Sequence, residues 1–458
     1  MHAGKTLSVT VLLMKLPNYI DTVSSSYADL LHSSSSTVRL NFLHLPSTDP
    51  TPDWSSRTRG FFTHYLVLSQ QPNVADFLRS RRPNVAAVVV DMLCTSMIGV
   101  AEELGIPAYI FFTSPASFLG AMLHCQTLLD ERNADDVSEL RNSSSDLAIP
   151  SFSVAVPPNV LSQVLVDKSQ WLERFLHYAR DYRKAKGIII NTFVELESHA
   201  LRSFVVDSAY GAAPVPPVYP VGPILNQGPS LDSHKKSASE VLKWLDEQPC
   251  GSVVLLCFGS QGSLSEDQIR ELAMGLERSG QRFLWSLRRQ PPDSQKARFP
   301  SEYDSYKGVL PEGFLDRTGG VGKVVGWIPQ LEALSHPAVG GFVSHCGWNS
   351  VLESLWCGVP IATWPLHAEQ QMNAFQLVRE LGLAVEITLS YVERSDDQVM
   401  VTAGEVERGI REVMESGSKV TKRVREMKEK SRKSVVKGGS SHASFKRLVD
   451  NMMSNVSP

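Results

Sequence analysis

Several things are scarce in this sequence, and each shortage closes a class of function. The six cysteines (Cys94, Cys125, Cys250, Cys257, Cys346 and Cys357) form no CxxC pair. Some sit inside apolar runs such as Leu256-Cys257-Phe258, the pattern of buried, reduced thiols rather than of a disulfide framework or a zinc site. No apolar run reaches the roughly 18 residues that span a bilayer. The opening stretch Met1–Pro17 has a short apolar segment with no small-residue cleavage site behind it, so it reads as a strand and not a signal peptide. A cytoplasmic protein without a membrane span is expected. Neither charge sign is in excess: 45 Lys+Arg face 48 Asp+Glu, a net charge of -3. That balance lacks the basic surplus of a nucleic-acid binder, so any phosphate must be held locally. No internal repeat is found. No GxGxxG follows an early strand, which counts against a dinucleotide-dependent dehydrogenase.

What is present points to an α/β protein. At 458 residues the chain exceeds the roughly 250–300 that one core supports, so two or more domains are expected. Short apolar, β-branched runs recur at Leu7–Met14, Val38–Leu43, Ala86–Asp91, Ala108–Phe112, Gly187–Asn191, Ser252–Phe258, Arg282–Leu287, Lys323–Gly326, Gly341–Ser344 and Pro360–Trp364. Their continuous hydrophobicity suits strands buried on both faces of a parallel sheet. Helical patterns alternate with them. After Ser265 come Ile269, Leu272, Ala273 and Leu276. Ser263 and Glu266 resemble a capping box there, and Gly280 closes the helix. The fold expected is doubly wound α/β. Around Val218–Pro229, Pro, Gly and polar residues mark a boundary that divides the chain into comparable halves. Arg289–Lys307 and Asp130–Asp146 read as polar loops, and the Lys419–Lys437 stretch as a solvated helix face.

The second half carries a candidate site. An apolar strand enters Ser344-His345-Cys346-Gly347-Trp348-Asn349-Ser350, and a helix with Val351, Leu352, Leu355 and Trp356 follows until Gly358. A strand–turn–helix of this kind aims free backbone N–H groups and a positive helix end at one point, where phosphate fits. Asn349, Ser350 and His345 add side-chain donors. A second Gly turn, Gly259-Ser260-Gln261-Gly262, follows the strand at 252–258; two facing turns suit a diphosphate. Trp327, in Trp-Ile-Pro-Gln, can stack on a base, worth about 1–3 kcal/mol. Glu353, one turn into the helix, can accept ribose hydroxyls, and the Glu369-Gln370 pair can hold vicinal sugar hydroxyls. Trp348 and Trp356 also fit plain core packing, which is favoured for Trp356.

These spacings, taken end to end, resemble the 44-residue signature box of the plant family 1 UDP-glycosyltransferases: WIPQLEALSHPAVGGFVSHCGWNSVLESLWCGVPIATWPLHAEQ, Trp327 to Gln370. The runs GIIINTFVELE (187–197), VYPVGP (218–223), WLDEQP (244–249), CFGS (257–260) and GGSS (438–441) extend the likeness. It implies a GT-B fold, two Rossmann-like parallel-sheet domains facing across a cleft. The halves would be an acceptor-binding domain (1–222), a linker (223–240), a UDP-sugar-binding domain (241–440) and a helix returning to the first domain (441–458). By that likeness Trp327 stacks on uracil, Ile328 and Gln330 touch the base or ribose, and Glu353 holds the ribose. Ser260, His345, Asn349 and Ser350 bind the phosphates, and Trp348, Trp364, Glu369 and Gln370 face the sugar. Gln370 in the last box position goes with glucose. The partners implied are UDP-glucose and a phenolic or flavonoid-like acceptor, with no metal, no cofactor and a monomeric chain.

The resemblance also implies inversion at the anomeric carbon, with a general-base His after the family's first strand, oriented by an Asp. Asp91, closing Ala-Ala-Val-Val-Val-Asp, matches that Asp. The His has no match, since Leu7–Met14 resembles the family's second strand and His2 precedes it. The expectation is a chain short of that strand, with sheet neighbours left unpaired at about 1–3 kcal/mol per buried group, poorly stable and nearly inactive. A nucleotide-sugar binder without turnover is the competing reading. Near Asp91, Ala108–Pro115 either walls an apolar acceptor pocket or is sheet core.

Overall fold

The computed structural model describes residues 7–14, 39–48, 59–131, 136–169, 171–225, 235–291, 300–391 and 400–454. In chain order the strands are β1 (Val9–Leu13), β2 (Leu40–His44), β3 (Val88–Asp91), β4 (Ala108–Phe112), β5 (Gly187–Ile190), β6 (Val218–Pro220), β7 (Val253–Cys257), β8 (Arg282–Ser286), β9 (Gly322–Val325), β10 (Val339–Ser344), β11 (Ile361–Thr363) and β12 (Ala384–Glu386). Strands expected from apolar runs are present, most of them shorter by a residue or two. β12 was not expected, and β6 falls where a boundary was read.

The second half is a six-stranded sheet in the order β12-β11-β10-β7-β8-β9, and its strand pairs are parallel. Its first strand therefore lies beside its fourth. In such a sheet the crossovers diverge between those two strands, leaving a crevice at their carboxyl ends. β7 is fully buried, as its run of Val and Leu requires. Helix Glu266–Ser279 packs on this sheet through Ile269, Leu272, Ala273 and Leu276, each 0% exposed. Its N-cap is Ser265, whose side chain accepts from the Gln268 N–H, and not Ser263. Ser265 has the extended backbone that an N-cap needs (ψ 156°), whereas Ser263 lies upstream of the helix. Gly280 closes it at φ 67°.

In the first half β3-β4-β5-β6 form a four-stranded parallel sheet, while β1 and β2 form a separate parallel pair. Among the described residues no strand pairs with the outer edge of β3, where Val89 is 50% exposed. Val218–Pro220 is the last strand of the first sheet, held there by Tyr219 packing with Tyr109, Ile189 and Leu448, and the chain leaves that sheet just after it; Pro220 is tolerated at the sheet's edge. Helix Lys235–Asp246 begins inside the stretch read as a linker, and 226–234 lie outside the described residues. The two polar loops each carry structure: Val137–Asn142 is a 3-10 turn, and Arg289 pairs with Ser301.

The last helix, Ser440–Met453, lies on the first sheet. Leu448 joins the Tyr219 cluster, Asn451 Nδ2 donates to Tyr219 Oη at 2.6 Å, and the Arg447 guanidinium sits 5.5 Å from that ring. Where the chain leaves the first half, the Gly222 carbonyl accepts from Ser434 Oγ at 3.3 Å and Ser441 Oγ at 2.5 Å. The outgoing and returning crossings thus meet at one residue.

Candidate functional site

β7 and β10 run side by side with Cys257 opposite Ser344, so the turns that follow them leave the sheet together. Both close on one imidazole. A Cβ on Gly259 would lie 2.6 Å from His345 Nε2, and one on Gly347 would lie 2.5 Å from it. Only glycine leaves room for the ring, and Gly259 also holds a φ of 76°. Burial, with His367 a smaller cause, pushes the His345 pKa down to about 3. The ring is therefore neutral at physiological pH. Its Nδ1 is buried and has no hydrogen-bond partner in the protein.

Helix Trp348–Cys357 begins at this point. Its N-cap is Gly347, and no side chain caps its first N–H groups. A helix of this length with an open first turn supplies backbone donors and a positive end for an anion. Asn349 and Ser260 are exposed beside it, and Ser350 is buried. Gln330 Nε2 donates to Ser350 Oγ at 2.9 Å and to Glu353 Oε2 at 2.6 Å, which joins three expected residues. Burial raises the Glu353 pKa, partly offset by the Gln330 hydrogen bond. Trp327 is half-buried, its carbonyl accepting from Ser237 Oγ at 3.3 Å, and Ile328 packs beneath it in the core.

The remaining expected residues divide. Glu369 is half-buried, and burial raises its pKa against hydrogen bonds from Ser114 and Asn373. The Gln370 carbonyl oxygen accepts from the Leu366 and His367 N–H groups at 2.9 and 3.0 Å. It is spent on holding its own loop, leaving the amide N–H end for another partner. Trp348 is buried, and its indole N–H donates to the Asn191 carbonyl of the first half at 2.6 Å; it is a contact between halves. Trp364 does not face the cleft. It is 0% exposed, edge-on to Phe258 and Tyr391 at 5.8 and 5.9 Å, because a ring directly after β11 is drawn into the sheet's core. Trp356, read as core, is half-buried under the Arg432 guanidinium, 5.1 Å from its ring. In the first half, Asp91 stays accessible at the end of β3 and accepts from the Leu93 N–H at 2.9 Å. The hydroxyls of Ser114, within the Ala108–Pro115 stretch, and of Ser162 reach the 366–370 loop, a contact that neither serine announces in the sequence. Among the described residues no cluster of three or more His, Cys, Asp or Glu is placed to hold a metal.

This geometry agrees with what the chain is similar to. The family profile described as "UDP-glucoronosyl and UDP-glucosyl transferase" matches residues 215–414. UDP-glucose flavonoid 3-O-glucosyltransferase 6 of Fragaria ananassa is 48% identical, over 98% of this chain and 93% of its own length. The chain belongs to the UDP-glycosyltransferase family. Among solved structures, a UGT transferase from Siraitia grosvenorii in complex with UDP is 44% identical and superposes with a TM-score of 0.84 over 97% of this chain and 92% of that one. Medicago truncatula UGT71G1 complexed with UDP-glucose gives 39% identity and a TM-score of 0.84 over 97% and 91%. This glycosyltransferase has the GT-B fold. The crevice between β7 and β10 is its candidate donor site, with the signature segment wrapped around it from Trp327 to Gln370.

Proposed function

We propose that this glycosyltransferase transfers glucose from UDP-glucose to a hydroxyl of a small apolar acceptor of the phenolic or flavonoid type, with inversion. One observation carries the donor half of the reading: the two Gly turns, the open helix start and the Gln330–Ser350–Glu353 triad converge at one switch point. In this reading Trp327 stacks on uracil over Ile328, and Gln330 and Glu353 hold the ribose. Ser260, His345, Asn349 and Ser350 surround the diphosphate, and Glu369 with the Gln370 amide holds glucose hydroxyls. His345 enters this site as a neutral imidazole. Negative charge grows on UDP as it leaves, so donors already aimed at the phosphates lower the barrier.

The acceptor side falls to residues 1–222, with 223–240 linking to the donor domain 241–440 and 441–458 closing back. Asp91 stands at the carboxyl edge of β3, and desolvation of its carboxyl raises its pKa against the hydrogen bonds it accepts from the Leu93 and Met92 backbone. In this reading Asp91 orients the imidazole that serves as general base. The free cysteines support a cytoplasmic location. Among the described residues no helix is long and apolar enough to cross a membrane.

The test is incubation of the whole chain with UDP-glucose and a panel of phenols, with UDP release and glucoside formation followed together. Stoichiometric UDP and β-glucoside are expected. UDP binding without turnover on any acceptor would leave a nucleotide-sugar binder, and no UDP binding at all would refute the donor site.

A further inference from the structure

We infer that Ser114 and Ser162, both in the acceptor half, are positioning residues for the donor sugar. They hold the Leu366–Gln370 loop from across the cleft. The inference rests on the donor-site reading above and adds residues outside the signature segment. Ser114 Oγ donates to Glu369 Oε1 at 3.1 Å. Ser162 Oγ donates to the Ala368 carbonyl at 2.6 Å. Both serines are buried.

The loop needs an outside hold. Ala368 sits at φ 56°, a left-handed conformation that an alanine adopts only when its surroundings impose it. Gln370 fixes the loop through the Leu366 and His367 N–H groups, and Ser162 fixes it through the Ala368 carbonyl. Ser114 is left to face Glu369 because the neighbouring donors are taken: both Glu197 carboxylate oxygens accept from the Ala116 and Ser117 N–H groups, each at 2.9 Å. Ser117 Oγ meanwhile donates to Gln376 Oε1 at 2.9 Å, one helical segment beyond the loop.

A consequence separates the two parts of the donor. The uridine diphosphate groups belong to the second half alone. The sugar groups are aligned only while the acceptor half is docked against them. Glucose recognition is thereby tied to closure of the two halves, and UDP recognition is not.

The experiment measures UDP affinity by calorimetry, and UDP-glucose KM and kcat, for the whole chain and for S114A, S162A and S114T. One hydrogen bond to a charged or strained partner corresponds to roughly tenfold in affinity. The expected result is a UDP-glucose KM raised roughly tenfold in S114A and S162A, UDP affinity changed less than about twofold, and recovery in S114T, which keeps the hydroxyl. A368G removes the left-handed strain, so S162A/A368G should recover part of the loss in S162A. Equal weakening of UDP and UDP-glucose, or no change in either, overturns the inference. A wild-type chain that binds no UDP overturns the donor-site reading and this inference with it. Wild-type UDP binding with unchanged KM in the serine variants overturns this inference alone.

Discussion

Gly347→Ala tests the donor site with a single methyl group. Gly347 has φ -59° and ψ 138°, a backbone any residue adopts, so alanine there carries no conformational penalty and the effect is steric. The added Cβ would sit 2.5 Å from His345 Nε2, and ordinary contact requires the ring or the turn to retreat by about 1 Å. Overpacking of this kind costs about 1–3 kcal/mol. A retreat of about 1 Å in a group aimed at the reacting centre costs on the order of 10²-fold in rate. UDP affinity should therefore fall about tenfold or more by calorimetry, and kcat/KM by about 10²-fold. Gly259→Ala should be worse, since its Cβ meets the same nitrogen at 2.6 Å and its φ of 76° adds a left-handed penalty of about 1 kcal/mol. Gly404→Ala is the control: it lies in helix Ala403–Val413 with nothing within 4 Å of an added Cβ. It should keep full activity and gain up to about 1 kcal/mol of stability. If folded Gly347→Ala binds UDP as tightly as the parent, His345 and its two turns do not form the phosphate site.

Three further outcomes follow from the same site. Glu353→Gln should weaken UDP binding about tenfold yet raise the melting temperature at pH 7–8. Burial lifts the Glu353 pKa above its ordinary 4.5, so its contribution is intact below that value and is lost as pH rises through the folded pKa; the stability gain should vanish in acid, and a gain independent of pH would contradict the assignment. His345, held down to about 3 from 6.5, contributes stability above pH 6.5 that is lost progressively as pH falls toward 3. His345→Gln should flatten that acid limb, and the parent imidazole resonance should not titrate between about pH 5 and 8. Trp327→Ala should cost UDP about 1–3 kcal/mol of stacking and abolish the part of the fluorescence quench that UDP causes at that ring; an unchanged quench would place the base elsewhere.

The β7–β10 crevice was legible because its chemistry is local in sequence. A strand, a Gly turn and a helix start occupy consecutive residues, so pattern and site coincide from Gly340 to Gly358. Ala108–Phe112 was found to the residue because five successive apolar residues can only be a buried strand there. Ala384–Glu386, three residues ending on a charge with no longer apolar run around it, gives no pattern to detect. Trp364 could not be assigned a face from sequence, because a ring ending a strand turns into the core or the cleft according to its neighbours, here Phe258 and Tyr391. Ser114 and Ser162 were beyond reach for another reason: their partners lie 255 and 206 positions away, and an isolated serine carries no mark of what it meets.

The meeting of both interdomain crossings at Gly222 has a mechanical meaning. Two bodies joined at widely spaced points can only shear or twist within the slack of each strand. Here the two backbone crossings meet at one point, with Ser434 and Ser441 pinning the same carbonyl, and the contacts of Trp348, Ser114 and Ser162 across the halves are the ones that must part for any swing about it. Travel is then smallest beside the pin and grows with distance from it. A substitution at Gly222 would act on that swing from a position that touches none of the candidate donor-site residues.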